Sequence, residues 1–216
     1  MNKFADKRWF VFGASGHGKV VVDAIERCGG VVSFVVDDDP KKNGQSFFGY
    51  PVLNREQLLL RRGEIDLGVV AIGDNALRTR IAAWMSDHLF TFGVVIHPDA
   101  VIGRGVTIGE GTVVFAGAVV NSDARIGNHC ILNSASSVDH DCLIGDGVHV
   151  APGCVVCGGV SIGSSSFLGA GVTVIPGIRI GHSVVVGAGS TVICDIADGL
   201  CVAGSPARKL RGTGEK

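Results

Sequence analysis

A branched aliphatic residue recurs at every sixth position along the second half of the chain. From Ile96 to Val192 this pattern runs through seventeen successive positions without a slip, and glycine often follows the aliphatic residue. Four places after the aliphatic stands a small residue or a valine, as at Thr112, Ala118 and Cys130. This pattern is typical of the hexapeptide repeat of a β-solenoid, in which three hexads of about 18 residues form one triangular coil. The 97 residues of this stretch therefore predict about five coils, with the aliphatic and the small residue facing inward.

The chain before residue 96 alternates short apolar runs with segments of helical periodicity. The apolar runs predict strands at Arg8–Gly13, Val31–Val36, Asp66–Ile72 and Thr91–Ile96. Helical spacing and capping signals predict helices from Val20 to Cys28, from Asn54 to Arg62 and from Ala76 to His88. Alternating strands and helices predict a small parallel sheet with right-handed crossovers. We therefore expect an α/β domain over residues 1–95, followed by an all-β solenoid with a C-terminal tail over residues 96–216.

The composition narrows the class of protein. Glycine makes up 33 of the 216 residues, aromatic residues only 6%, and hydrophobic residues 46%, which is too apolar for disorder. The net charge of −1 argues against nucleic acid as the main partner. No apolar run approaches the ~18 residues of a membrane span. Because Met1–Phe12 does not read as a signal peptide, we expect the seven cysteines to be free thiols in the cytoplasm.

His140 breaks the repeat at a position that faces outward. It is flanked by Asp139 and Asp141, so that a carboxylate can orient the imidazole and raise its basicity. One coil later, 18 residues on, stands Gly158, whose backbone N–H a substrate could approach closely. The pattern favours a general base paired with an oxyanion donor, and the alternative is a solvated surface histidine.

The other histidines do not converge with His140 in the sequence pattern. His149 lies half a coil away, so a site shared by the two histidines would need two subunits. We expect His97, His129 and His182 to be surface residues. The spacings between the histidines are not multiples of 18, so we expect neither a zinc site nor any other metal.

Three features of the first domain fall at the carboxyl ends of its predicted strands. The loop Gly13–Gly18 stands between a strand and a helix and suits a phosphate. Asp37 and Asp38 end the second strand, where a carboxylate can accept hydrogen bonds from a base or a ribose, and Gly73 ends the third. Since parallel strands present these ends on one side of a sheet, the pattern favours a nucleotide site, and a glycine-rich turn without a ligand is the alternative.

Together these features resemble the hexapeptide-repeat sugar acyltransferase family. Its members include the bacillosamine-type UDP-amino-sugar N-acetyltransferases, the GDP-perosamine N-acetyltransferases and the sialic acid O-acetyltransferases. The resemblance covers nearly the whole chain. It is carried by Gly13-Ala14-Ser15-Gly16-His17-Gly18, Asp37-Asp38, Ala71-Ile72-Gly73-Asp74-Asn75, Asn133-Ser134-x-Ser136-Ser137-Val138-x-His140, His149 and Gly204-Ser205-Pro206-Ala207-Arg208. It implies a Rossmann-like nucleotide-sugar-binding domain, a left-handed parallel β-helix, and a homotrimer with sites between neighbouring β-helices.

The resemblance also implies roles for individual residues. His140 matches the catalytic base, and Asp141 matches a carboxylate, usually glutamate, that makes this histidine more basic. His149 matches a residue that contacts acetyl-CoA, and Ala170 and Ala188 match positions where the main chain touches that cosubstrate. The positions that match the nucleotide-sugar site are Ser15, Gly16, His17, Asp37, Asp38 and Gly73, with Asn133 grouped beside them.

The function expected from this resemblance is acetyl-CoA-dependent N-acetylation of a nucleotide-linked amino sugar, without a metal. An O-acetyltransferase acting on sialic acid would use the same base and the same acyl donor without a nucleotide pocket. A binding or scaffolding solenoid would bind the nucleotide sugar but not acetyl-CoA. A dinucleotide dehydrogenase is disfavoured, because an α/β domain of roughly 95 residues is too small for two mononucleotide-binding halves.

Overall fold

The computed structural model describes residues 6–210. Within these residues the N-terminal domain contains five strands, β1 (Arg8–Phe12), β2 (Val31–Val36), β3 (Ser46–Phe47), β4 (Tyr50–Leu53) and β5 (Leu67–Val70). It also contains three α-helices, α1 (Gly16–Arg27), α2 (Arg55–Leu60) and α3 (Asn75–Asp87), and a short 3-10 helix (Arg62–Glu64). The strands form one sheet in the order β3-β4-β2-β1-β5, parallel except for the hairpin of β3 and β4. This is the small parallel α/β sheet that the alternation of elements predicted.

The local signals placed most of these elements correctly. The strand Val31–Val36 is observed with the predicted bounds. The capping box is present, because the Asn54 side chain accepts from Gln57 N and the Gln57 side chain accepts from Asn54 N. The prediction of a sheet strand over Thr91–Ile96 was wrong. Only Phe92 bridges to this sheet, and the end of the segment pairs with the second domain instead.

The second domain is a parallel β-helix whose strands are nearly all two residues long. Strands β6 to β24 are Val95–Ile96, Val101–Ile102, Thr107–Ile108, Val113–Val114, Val119–Val120, Arg125–Ile126, Ile131–Leu132, Ser137–Val138, Leu143–Ile144, His149–Val150, Val155–Val156, Ser161–Ile162, Phe167–Leu168, Thr173–Val174, Arg179–Ile180, Val185–Val186, Thr191–Val192, Cys201–Ala203 and Arg208–Lys209. Each strand from β6 to β19 pairs in parallel with the strand 18 residues on, as predicted from the hexads, and β21 pairs with β23 only 16 residues on. Strands β23 and β24 close the end as an antiparallel pair.

These strands form the three faces of the coil. The face that begins with β6 contains β9, β12, β15 and β18 and is called the covered face, because the N-terminal domain packs on it. The second face contains β10, β13 and β16, and the third contains β11, β14 and β17. A side chain in the corner after β13 therefore lies between the second and third faces, away from the covered face.

The inward positions form the core of the β-helix. Every aliphatic residue of the repeat from Val114 onward is buried, and Cys130, Cys142 and Cys154 fill small inward positions. Ile102, in the first coil, is 37% exposed because no coil lies beneath it. The three cysteines therefore act as small apolar residues of the core, as their register predicted.

The covered face joins the two domains through a shared apolar layer. Its outward-facing residues Val113, Phe115 and Ile131 are buried against Trp9 and its neighbours. This docking overturns two of the predicted surface histidines. His97, which follows β6, is only 5% exposed, and the half-buried His129 ring packs edge-on against Phe92 with centroids 4.6 Å apart. Within residues 6–210, none of the helices is both long enough and apolar enough to cross a bilayer.

Candidate active site

His140 projects from the corner between β13 and β14, with 61% of its side chain exposed. Its Nδ1 lies 2.8 Å from Asp141 Oδ2, and a carboxylate only accepts, so Nδ1 carries the proton. The Nε2 lone pair is therefore free to accept a proton. The other neighbouring carboxylate, Asp139, turns away and accepts from the His140 backbone N and from Asn121 Nδ2. The hydrogen bond to Asp141, with a smaller contribution from the charge of Asp139, raises the pKa of His140 above its ordinary value.

Gly158 lies one coil beyond His140, directly against the imidazole. The register is shown by the Gly159 N–H, which donates to the His140 carbonyl at 2.9 Å. A Cβ atom at Gly158 would stand 2.6 Å from His140 Nε2, so only glycine lets the ring lie in this position. The Gly158 N–H makes no hydrogen bond to any residue between 6 and 210. The corner thus places an imidazole nitrogen and a backbone N–H side by side, at the predicted spacing of 18 residues.

The glycine-rich loop packs tightly between β1 and the start of α1. A Cβ atom at Gly18 would collide with the Gly13 carbonyl, and Gly13 itself has φ +127°, so both positions require glycine. Ser15 and Gly16 are exposed at the N-terminus of α1, and Ser15 makes no side-chain cap. The loop therefore leaves the helix N-terminus accessible to an anion.

The two aspartates that end β2 have different environments. Asp37 accepts from Ala14 N, Asp39 N and Lys42 Nζ at 2.8 to 2.9 Å. Burial raises the pKa of Asp37, but these hydrogen bonds, led by that from Lys42, outweigh it and hold the pKa below its usual range. Asp37 thus braces the loop, and the more exposed Asp38 is the carboxylate that faces outward.

Asp38 forms a paired contact with Arg55. The guanidinium donates from Nε and Nη2 to the two carboxylate oxygens at 2.6 and 2.7 Å. It also stacks over Trp84, 4.4 Å from the ring centroid. Sequence reasoning missed Arg55, because nothing in its local pattern indicates the ion pair. The pair gives this edge a planar surface with donors and acceptors, which suits a nucleobase.

His149 lies on the covered face, where the two domains meet. Its Nδ1 is 3.3 Å from the Gly73 carbonyl and its Nε2 is 3.2 Å from Asn133 Nδ2. Its ring contacts Phe167 edge-on, and the His17 ring lies 6.4 Å away between centroids. The structure therefore brings four of the sequence-predicted site residues, Gly73, His17, Asn133 and His149, into one cluster.

The two histidines of this cluster are largely buried and uncharged. Burial first, and then the nearby charge of Arg78, lowers the pKa of His149 to about 4. Burial and the neighbouring His149 lower the pKa of His17 to about 4 as well. Both rings are therefore uncharged at neutral pH and act as hydrogen-bonding groups there.

A cavity of about 950 Å³ opens beside this cluster, between the N-terminal domain and the β-helix. Its wall combines polar groups, an apolar patch and the cation of Arg80. The residues of this wall are Gly73, Asn75, Thr79, Arg80, His149, Ser165, Phe167, Ser183 and Val185. The volume falls within the range of small-molecule sites. Six residues of this wall were not anticipated, because their positions on hexads and on α3 give no sign of the cavity: Thr79, Arg80, Ser165, Phe167, Ser183 and Val185.

Ala170 and Ala188 are exposed and lie one coil apart, at the corners that follow β18 and β21. Gly189 N donates to the Ala170 carbonyl at 2.8 Å, and this hydrogen bond holds the two successive corners one above the other. His140 lies in a different corner. Within one chain, then, the structure does not bring His140 together with His149 or with the two alanines. Between residues 6 and 210, no three His, Cys, Asp or Glu side chains converge as metal ligands.

Comparison with known proteins matches both domains. Residues 8–85 match the family described as PglD N-terminal domain, and residues 123–158 match the bacterial transferase hexapeptide (six repeats). Over 105 residues the chain is 38% identical to UDP-N-acetylbacillosamine N-acetyltransferase of Bacillus subtilis. This stretch covers 47% of the chain and 48% of that protein, so it spans about half the length of the curated relative.

Solved structures match nearly the whole chain. A histidine-to-asparagine mutant of perosamine N-acetyltransferase from Caulobacter crescentus, in complex with CoA and GDP-perosamine, is 39% identical with a TM-score of 0.90, covering 94% of this chain and 97% of that one. The acetyltransferase domain of PglB from Neisseria gonorrhoeae, in complex with acetyl coenzyme A, is 37% identical with a TM-score of 0.88, covering 95% and 100%. The predicted combination of a Rossmann-like domain and a hexapeptide-repeat β-helix is confirmed.

Proposed function

We propose that this chain, which belongs to the hexapeptide-repeat sugar acyltransferase family, transfers the acetyl group of acetyl-CoA to the amino group of a nucleotide-linked sugar. The observation that carries this proposal is the His140 corner. There a free imidazole nitrogen, oriented by Asp141, lies against a glycine whose N–H has no partner within the described chain. Attack of an amine on a thioester needs a proton acceptor and an oxyanion donor, and this corner contains both.

The reaction uses these groups in sequence. The sugar amine attacks the thioester carbon, and His140 Nε2 accepts the proton that the nitrogen loses. The carbonyl oxygen becomes an oxyanion, which the Gly158 N–H stabilises. When the tetrahedral intermediate collapses, the C–S bond breaks and the imidazolium returns its proton to the CoA thiolate. Asp141 keeps Nδ1 protonated throughout, so that Nε2 is the nitrogen that cycles.

The N-terminal domain binds the acceptor. We assign the pyrophosphate to the accessible N-terminus of α1 at Ser15 and Gly16, and the base to the Asp38–Arg55 edge. Asp37 supports this site by bracing the loop. The sugar then extends towards the cavity between the domains, where His17, Gly73, Asn133 and His149 meet.

Two subunits complete the site. His140 lies at the corner after β13 and His149 lies in β15 on the covered face, so a site that uses both needs a neighbouring chain. The strands of the second face, β7, β10, β13, β16, β19 and β22, contain no charged residue and expose valines, with Val101 59% and Val155 42% exposed. We therefore propose a homotrimer in which His140 of one chain meets the acetyl-CoA held by His149, Ala170 and Ala188 of the next. The free cysteines support a cytoplasmic location, where thiols stay reduced.

The test is a substrate panel. Purified protein is given acetyl-CoA with UDP-, GDP- or dTDP-linked amino sugars, or with free sialic acid, and the products are identified by mass spectrometry. We expect N-acetylation of one nucleotide sugar and loss of this activity in His140→Ala, with CoA binding and the oligomer retained. Acetylation of sialic acid alone would establish the O-acetyltransferase instead. Sugar-nucleotide binding without acetyl-CoA binding in calorimetry would establish a binding protein.

A further inference from the structure

Arg78 is a buried cation in the first turn of α3. It is 1% exposed, and no carboxylate within the described chain pairs with it. All five of its N–H donors are nevertheless used, which is the full capacity of a guanidinium. The acceptors are the carbonyl oxygens of His129, Ile72, Gly73 and Gly147 and the side-chain oxygen of Asn75, at 2.8 to 3.1 Å. Since an unpaired buried charge is costly, this arrangement calls for an explanation beyond folding.

The acceptors belong to both domains. Ile72 and Gly73 form the loop that follows β5 in the N-terminal domain, and His129 and Gly147 lie at corners of the β-helix. Asn75, whose oxygen Arg78 holds, donates from Nδ2 to the carbonyls of Ser165 and Ser166, both at 3.0 Å. The guanidinium therefore sets the position of the Gly73 loop relative to the covered face, with no ion pair whose strength varies with pH.

The Gly73 carbonyl also decides the protonation of His149. A carbonyl can only accept, so the contact at 3.3 Å places a proton on His149 Nδ1. The Asn133 side-chain oxygen accepts from Ser134 N, so its amide nitrogen points to His149 and donates to Nε2. The two contacts fix the Nδ1–H tautomer, with the Nε2 lone pair directed at Asn133.

We propose that Arg78 is a positioning residue for acetyl transfer, which holds the Gly73 carbonyl against β15 and thereby fixes the orientation and tautomer of His149. This inference rests on the proposed function, in which His149 lies between the sugar and the acetyl donor. Lysine cannot replace Arg78, because its three donors radiate from one nitrogen and cannot reach acceptors on both sides of the junction.

The kinetic test compares Arg78→Lys and Arg78→Met with a matched control, Arg62→Met. Arg62 lies in the same domain and is exposed. Within residues 6–210 it donates one hydrogen bond, to the Leu89 carbonyl, and its guanidinium lies over the Phe90 ring, away from the cavity. We expect Arg78→Lys to lower kcat about 100-fold, because a misplacement of about 1 Å in a site has that effect, and to raise KM for acetyl-CoA more than about threefold, because His149 holds that cosubstrate. Arg62→Met retains the wild-type kcat. If Arg78→Met does not fold, Arg78→Lys, which keeps the charge, carries the test alone.

A spectroscopic readout separates this proposal from the proposed function. ¹⁵N NMR of histidine-labelled protein near neutral pH, with His149 assigned from the missing signal in His149→Gln, reports which ring nitrogen is protonated. The wild type and Arg62→Met should show the Nδ1–H form, and Arg78→Lys should show a mixture or mainly the Nε2–H form. An unchanged tautomer or a wild-type kcat in Arg78→Lys would overturn the proposal. If the protein acetylates no nucleotide sugar, the proposed function fails, and the tautomer still decides whether Arg78 positions His149.

Discussion

Replacing Gly158 with alanine tests the arrangement of the proposed base without removing any functional group. The substitution keeps the backbone N–H and adds one methyl group at 2.6 Å from His140 Nε2 and 2.7 Å from Cε1. Ordinary contacts need about 3.5 to 4.0 Å, so the imidazole must move by about 1 Å. A displacement of this size in a site lowers the rate by about 100-fold. We therefore expect kcat to fall about 100-fold in Gly158→Ala.

The loss of activity in Gly158→Ala should not be accompanied by a loss of folding stability. Gly158 does not have a positive φ, so alanine fits its backbone, and the His140 ring is exposed enough to move towards solvent. Replacing glycine at a compatible position adds about 0.4 to 1 kcal/mol of stability, because it restricts the unfolded chain. The melting temperature of Gly158→Ala should accordingly equal or slightly exceed that of the wild type.

The assay measures CoA thiol release with a nucleotide amino sugar, and an enzyme-only blank corrects for the cysteines of the chain. The control is Gly63→Ala, where the added Cβ meets nothing within 4 Å and φ is not positive. This variant should keep the wild-type rate. A folded Gly158→Ala protein with kcat within about threefold of wild type would refute the argument that packing on Gly158 sets the position of the base.

Three further predictions follow from the same contacts. Asp141→Asn removes the main cause of the raised pKa of His140, so the acidic limb of the kcat/KM profile should move to lower pH, and an unmoved limb would exclude this pairing. Because the pKa of His149 is lowered to about 4, the free energy of unfolding should fall between about pH 6.5 and pH 4, where the unfolded chain binds the proton and the folded chain does not. This loss of unfolding free energy amounts to at most about 3 kcal/mol and can be measured by denaturant titration at several pH values. It should be smaller in His149→Gln, and the control His182→Gln, at an exposed position, should retain it in full. Leu132→Ala, at a fully buried repeat position, should lower the unfolding free energy by about 2 to 5 kcal/mol, and a loss below 1 kcal/mol would contradict the packing of the coil.

The sequence by itself determined the features that depend on local spacing. The six-residue period places an aliphatic inward at each strand and stacks residues 18 apart, so the position of Gly158 beneath His140 was predictable from numbering alone. Asp141 is the next residue after His140, and its contact needs no long-range information. The capping box at Asn54 and Gln57 was likewise readable, because both partners lie within one helical turn.

Only the tertiary structure decided what happens where the two domains meet. His149 occupies an outward position of its hexad, and its burial comes from the N-terminal domain rather than from its own repeat. Arg78 resembles any helical surface arginine in sequence, yet its acceptors lie up to 69 residues away. The segment around Val95–Ile96 continues the apolar run of the first domain but pairs with the coil. The physical reason is that hexad spacing is set by neighbouring turns of one chain, whereas docking depends on which apolar surfaces and hydrogen-bond acceptors two folded units present to each other.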